Sequence, residues 1–374
     1  MIRLKKGLLF WGLLLSVCLT AVACQSTPDS VEKDGAVTVK ESIETKESAL
    51  KDTEPADTDF LEAVPENYKD EWKTENDRLS FDAEVVVPEG KITKGTIEEV
   101  LVDENLIRKV LLKEAENEII ETEDDSGRHL IVEDKNHEAS SDLGRKYECV
   151  FNEEFKRFDF TDFIKEGLYY YSGDSTTVSQ LKLTDEEKKI QENRENQVTE
   201  ILEQLGINKK IESTLLCKED DGTYETQIRC TTIIDGIPSY PLSYFASDTQ
   251  TYIDDGCGAQ VNDNGIYSMY NTSNYKVSSS EEVKLLSFDT IIAAAKQLFE
   301  QQLISNYSYN EETPSNFPVC RIRLTYILKN NDTQKVYLPV WVFEKYADIN
   351  YGYTPLFIID AQTGELEFYS SLGF

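Results

Sequence analysis

The first strong pattern along the chain is an apolar run from Gly7 to Leu15, preceded by Arg3, Lys5 and Lys6 and followed by small residues up to Ala21-Val22-Ala23-Cys24. A charged start, an apolar centre and a small-residue end make a secretory signal segment. The run is shorter than the ~20 residues of a spanning helix, and it gives way at once to Gln25-Ser26-Thr27-Pro28-Asp29. A removable signal over 1–23 is therefore expected rather than a transmembrane helix. From 24 to 59 the apolar pattern disappears into Ser, Thr, Glu, Lys and Asp. Such a stretch buries too little apolar surface to offset its chain entropy, so it is expected to be a disordered tether. Some ~35 residues at ~5–6 Å × √n give a reach of about 30–35 Å.

Periodic sequence starts near residue 60. Residues 79–88 alternate as a strand and stop at Pro88, and Asp103 stands where it caps a helix carrying Leu106, Ile107, Val110, Leu111 and Ala115. Further strands are expected at 129–133, 146–152 and 168–172. A second series opens on Thr184-Asp185-Glu186-Glu187, a capping box, and leads a helix whose stripe Val198, Ile201, Leu202 and Leu205 ends at Gly206. Strands at 215–218, 224–234 and 240–246 follow, punctuated by Asp221-Gly222 and Asp235-Gly236. A third series repeats the plan. Ser287 caps a helix bearing Ile291, Ala295, Leu298, Phe299 and Leu303, and strands at 319–328, 336–344, 355–359 and 365–369 come after it. Short turns at Asn330-Asn331-Asp332 and Asp360-Ala361-Gln362-Thr363-Gly364 favour antiparallel pairing. The pattern predicts an α+β protein of tandem modules, each one helix packed on an antiparallel meander. They divide into an N-terminal region at 60–180, a middle module at 181–280 and a C-terminal module at 281–374.

Composition narrows the role. A net charge of -32 over 374 residues repels nucleic acid and anionic surfaces, which argues against a nucleic-acid partner. Seven cysteines include Cys18 in the signal and Cys24 at its end, leaving Cys149, Cys217, Cys230, Cys257 and Cys320. Alternation puts Cys320 in phase with Ile322, Leu324, Tyr326 and Leu328, and Cys230 in phase with Ile228 and Ile234. Both read as small buried apolar residues. A bridge from Cys217 to Cys230 fails on register: a two-residue loop at Asp221-Gly222 sets Cys217 opposite Thr226. Free, buried cysteines are expected.

Ala21-Val22-Ala23-Cys24 resembles the lipobox of bacterial lipoproteins. The resemblance implies a diacylglycerol on the Cys24 thiol, cleavage before Cys24 and attachment to the outer face of the bacterial cytoplasmic membrane. Two or more acyl chains suffice for stable anchoring. Residues 337–343, followed by 357–360 and the hairpin Asp360-Ala361-Gln362-Thr363-Gly364, resemble the end of PepSY-type modules. Together with the strand from Phe81 to Pro88 and Asp235-Gly236-Ile237-Pro238, they resemble an uncharacterised lipoprotein family, a domain of unknown function, from Gram-positive anaerobes. That resemblance spans most of the mature chain and implies an architecture and a location but no catalytic residue. PepSY-type modules are associated with inhibiting or regulating proteases and with accessory proteins of wall-sensing systems.

Candidate chemistry is sparse. Two histidines, His129 and His137, stand eight residues apart among acidic neighbours without compact metal-ligand spacing. No Gly-x-Ser-x-Gly elbow accompanies them. The acidic turns ending at Gly222, Gly256 and Gly265 fail the calcium-loop pattern, because Cys217, Ile253 and Gln260 fall at ligand positions. Tyr169, Tyr170 and Tyr171, and Tyr267, Tyr270, Tyr275, Tyr307 and Tyr309, are able to stack on sugars or grip a peptide, and equally serve as strand residues. With 70 acidic residues a carboxylate pair of glycosidase type arises readily by chance. No metal and no cofactor is expected. The leading expectation is a non-enzymatic lipoprotein that binds a protein or peptide. The alternative is an extracellular carboxylate-dependent hydrolase of wall glycan or peptide.

Overall fold

Strands from opposite ends of the chain share sheets, and that sharing decides the architecture. The computed structural model describes residues 63–73, 77–112, 118–136, 144–152, 157–166, 176–178, 182–219, 221–242, 251–300, 315–331, 333–347 and 352–369. All of them fall within the unit Glu54–Phe374. Among the described residues the elements run in order as β1 (Asn67–Lys73), β2 (Asp77–Val86), β3 (Thr93–Val100), α1 (Glu104–Val110), β4 (Ile119–Asp124), β5 (Gly127–Glu133), β6 (Arg145–Asn152) and β7 (Arg157–Asp162). Then come α2 (Phe163–Glu166), β8 (Thr176–Thr177), α3 (Asp185–Gln204), β9 (Lys209–Lys218), β10 (Tyr224–Ile234), β11 (Ile237–Pro238), β12 (Cys257–Asn262) and β13 (Gly265–Asn271). The last are β14 (Asn274–Glu282), α4 (Phe288–Leu298), β15 (Ser315–Asn331), β16 (Gln334–Ala347), β17 (Gly352–Asp360) and β18 (Leu366–Tyr369).

One sheet has the order β1-β2-β15-β16-β17-β18, with β3 joining β14 to β16. Its pairs are antiparallel except β2 with β15, which run parallel. Alternate residues Leu79, Phe81, Ala83 and Val85 of β2 and Phe317, Val319, Ile322 and Leu324 of β15 face one core. The helix α4 closes that core with Phe288, Ile291 and Ala295. Rings lock it: Phe288 meets Trp341 at 5.4 Å and Phe343 stacks on Phe357 at 4.5 Å. Fully burying such side chains stabilises by roughly 1.5–3 kcal/mol each. The opposite face of the same sheet is covered too. Ile327, Val340, Val342 and Ile358 pack under Tyr240, Leu242 and Tyr252.

The other sheet has the order β4-β5-β6-β7-β13-β12-β10-β9-β8, with β11 on β10. Its core gathers Leu130, Phe160, Ile228 and Met269 under Ile107 and Leu112, from α1 and the turn after it, and Val198 and Leu202 of α3. Each cap read from the sequence forms. Asp103 accepts from the Asn105 backbone N–H, Thr184 and Glu187 close the capping box, and Ser287 accepts from the Thr290 N–H. Gly206, at φ 65°, ends the third helix.

The expected α+β class is corrected by this topology. The described residues are mostly strand, in two large sheets, rather than tandem helix-on-meander modules. A helix followed by a meander does occur in the third series, but its first strand adds to β2, over two hundred residues earlier. Likewise β7 continues into β13. Periodicity reports which face of a strand is buried; it carries no information about which strand lies beside it.

Turn chemistry places two hairpins. Asp235 and Gly236, at φ 49° and 85°, connect the paired residues Ile234 and Ile237 as a two-residue turn. At Gly222 the loop is longer than expected, since Lys218 pairs with Tyr224 and the Glu219 N–H donates to the Thr223 carbonyl. The register consequently shifts by one: Cys217 lies opposite Glu225, not Thr226. The strand expected at 168–172 lies outside the described residues.

Candidate functional site: a polar groove where a sheet forks

The side of β16 facing β3 and β17 is divided between them. β3 pairs only with Lys335, Val336 and Tyr337, and β17 takes over from Val340. A groove of about 720 Å³ opens at this fork, between the β3–β14 pair and the turn joining β15 to β16. Its apolar floor is Val336 and Leu338, both half-buried, while Tyr337 between them points into the core and is 0% exposed. Its walls are polar. Thr96 Oγ1 sits 2.6 Å from Ser279 Oγ, and Ser280, Asn330 and Gln334 complete the hydroxyl and amide lining. A register shift in β14 between Val277 and Ser279 brings the serines to that wall. Lys94 and Lys329 supply cations, Lys329 being held by Glu367 at 2.6 Å and Lys94 lying 3.5 Å from Glu281. Gly95 is required at the fork, since a Cβ there would overlap the Ser279 carbonyl oxygen.

His129 occupies a different place. It is buried in β5, its Nδ1 2.7 Å from Glu148 Oε1 and its Nε2 3.0 Å from both Asp124 Oδ1 and Ser126 Oγ. The order serine, histidine, carboxylate is that of a hydrolase triad, but the proton positions are not. Ser126 Oγ donates to Asp124 Oδ1 at 2.6 Å, so its hydrogen is directed away from the imidazole. Burial opposes charging the ring, yet its contacts with Glu148 and Asp124 together outweigh burial and raise its pKa. Held between Glu148 and Asp124, the imidazole clips the β4–β5 turn to the neighbouring strand. His137 lies outside the described residues, as do Cys24, Tyr169, Tyr170, Tyr171, Tyr307 and Tyr309.

The acidic turns are local caps. Asp221 accepts from the Thr223 N–H, Asp254 from the Gly256 N–H and Asn262 from the Asn264 N–H. Among the described residues no group of three or more His, Cys, Asp or Glu is arranged to hold a metal ion. The C-terminal hairpin is also turn chemistry: Asp360 Oδ1 accepts from the N–H groups of Gln362 and Thr363, and Gly364 sits at φ 75°. Of the tyrosines, Tyr267 and Tyr275 are buried core residues, and Arg157 lies 4.8 Å from the Tyr270 ring.

One carboxylate pair is brought together deep in the fold, where Arg323 stands between Glu212 at 2.9 Å and Glu344 at 3.8 Å. Arg321 makes two further bonds to Glu344. With both acids paired to guanidinium groups, the cluster reads as structure. The five cysteines among the described residues are free thiols, four of them buried and Cys320 half-buried, so the expected burial of Cys320 is corrected. Sequence reasoning missed the groove entirely, because its lining comes from four segments that share no motif.

The geometry defines a two-sheet, mostly β protein with a polar groove at a sheet fork. No protein-family model matches the chain, and no curated protein matches it. A crystal structure of an uncharacterized protein from Eubacterium rectale is similar, with a TM-score of 0.51 at 14% identity, over 82% of this chain and 94% of that chain. The likeness is one of fold, and it extends across most of both molecules.

Proposed function

We propose that the chain is an extracytoplasmic lipoprotein, anchored through lipid on Cys24, whose β body binds an extended peptide segment in the groove at the sheet fork. The observation that carries this reading is the spacing of the groove floor. Val336 and Leu338 are two residues apart on one face of β16, the separation at which successive same-side residues of an extended peptide recur. Walls of hydroxyl and amide groups supply partners for a peptide backbone. The lipobox-like Ala21-Val22-Ala23-Cys24 supports the anchor, and the tether after it supplies reach. The PepSY-like ending at 337–366 agrees with a module that inhibits or regulates proteases. A neighbour of the same fold from a Gram-positive anaerobe is in keeping with that setting.

The test is direct binding of a library of extended acidic and neutral peptides to the protein and to Ser280→Trp, which fills the groove. Binding weakened at least about tenfold, with unchanged thermal unfolding, is expected; tenfold corresponds to about 1.4 kcal/mol. Equal binding by the filled variant rules the groove out. Cleavage of wall glycan or peptide that a single carboxylate substitution abolishes would replace the binding reading with the hydrolase one.

A further inference from the structure

Cys230 in β10 and Cys257 at the start of β12 lie directly opposite one another in antiparallel register. Both side chains enter the same core, at 1% and 0% exposure. Opposed residues of an antiparallel pair have Cα atoms ~4.5–5.5 Å apart, inside the ~4.4–6.8 Å that a disulfide spans. Facing each other across one ladder and entering one core, the two thiols are set side by side. On its other side Cys230 meets Ile211, and Cys217 is far along the strand opposite Glu225, so no other cysteine competes for it in this sheet register.

A lysine stands beside the pair. Lys209, carried by β9 on the same hairpin as Cys230, donates to the Asp255 carbonyl and, at 3.1 Å, to the Gly256 carbonyl that precedes Cys257. The Asp255 carboxylate is itself fixed by the Thr232 N–H at 3.0 Å and Ser239 Oγ at 2.6 Å. In the closed sheet Cys230 draws the Cys257 pKa down, with Lys209 helping and burial opposing. Disulfide exchange proceeds by attack of a thiolate on a disulfide sulfur, with a second thiol in reach to resolve the mixed disulfide.

We propose that Cys230 and Cys257 are a disulfide-forming pair, closed as β12 docks on the β9–β10 hairpin by exchange with a small-molecule or protein disulfide. The Cys257 thiolate attacks one sulfur of the oxidant; a bond forms to it, the oxidant's S–S bond breaks and one thiolate leaves. Cys230 gives its proton to that departing thiolate and attacks the Cys257 sulfur of the mixed disulfide, releasing the second thiolate. Two protein sulfurs are oxidised and one oxidant disulfide is reduced to a thiol and a thiolate. Because both sulfurs are sealed once the sheet closes, the bond is set during folding and the folded dithiol resists oxidation. This inference stands apart from the lipid anchor and the groove.

The full chain, unfolded and reduced, is refolded in oxidised and reduced glutathione, alkylated, digested and mapped by mass spectrometry. A peptide linking Cys230 to Cys257 is expected in the oxidised sample, with Cys149, Cys217 and Cys320 alkylated after unfolding. Reducing it should lower the thermal midpoint by roughly 5 °C or more, the effect of releasing a closed loop of this length. Cys257→Ala should give no linked peptide and a midpoint indifferent to reductant. Recovery of Cys230 and Cys257 as free thiols from the oxidised sample, or linkage of either to another cysteine, overturns the proposal. Both measurements on the unmodified chain hold whether or not the variant folds.

Discussion

Arg323 of β15 reaches Glu212 of β9 at 2.9 Å, an ion pair that joins the two sheets across their junction. Glu344, 1% exposed, stands on the other side of the guanidinium, and the Tyr240 ring lies 5.0 Å from it. Burial alone would make the arginine easier to deprotonate, but Glu344 and Glu212 more than reverse that and hold it charged. Removing one partner leaves a buried charge without an answer, which costs about 3–5 kcal/mol. Arg323→Met is therefore expected to lower the unfolding free energy by that order in a urea titration. Glu212→Leu added to it should restore part of the loss by removing the stranded carboxylate, since Glu344 keeps Arg321.

The clip at His129 predicts a pH dependence of definite sign. Its folded pKa is raised by Glu148 and Asp124, so the group stabilises the fold fully below its ordinary unfolded value, ~6.5. That contribution is lost as pH rises through the folded value. Thermal midpoints measured from pH 6 upward should fall for the native chain and fall less for His129→Gln. A slope of the opposite sign would show the imidazole to be buried neutral.

Gly95→Val tests the fork. Its side chain has no room beside the Ser279 carbonyl, so β3 must separate from β14 locally and the groove wall moves with it. A loss of about 2–4 kcal/mol in stability is expected, with peptide binding abolished in whatever remains folded. Gly90, at φ 104° with open space around it, is the control: replacement there strains only a turn.

Cys24→Ser addresses location. The variant should be released from membranes as an intact body with unchanged unfolding, because lipid on that residue is the proposed anchor. Fractionation of cells expressing each form reads the outcome, and retention of the serine variant at the membrane would exclude the lipid as its anchor.

Local features were legible in the residues. Asp103, Thr184 with Glu187, and Ser287 cap the helices they were expected to cap, because a cap is decided within four residues. The buried phase of Ile322, Leu324, Tyr326 and Leu328 also followed from alternation. What failed was partnership between distant strands. Nothing in residues 77–86 marks β15 as their neighbour, and nothing near Cys230 marks Cys257, because both relations are created when sheets assemble. Loop length at Gly222 shifted a register by one for a similar reason: Asp221 binds the Thr223 N–H and lengthens the turn beyond the two residues that Asp-Gly alone implies.

The parallel pairing of β2 with β15 has a kinetic consequence. Ser80 and Asn316 bond side chain to side chain although 236 residues separate them. Closing so long a loop is entropically expensive and slow, and high contact order places such proteins at the sluggish end of folding rates. Until β15 has emerged, β2 exposes the Leu79, Phe81 and Ala83 face that it later buries. A chain stopped before residue 315 should then be a substrate for chaperones and proteases rather than a smaller stable protein.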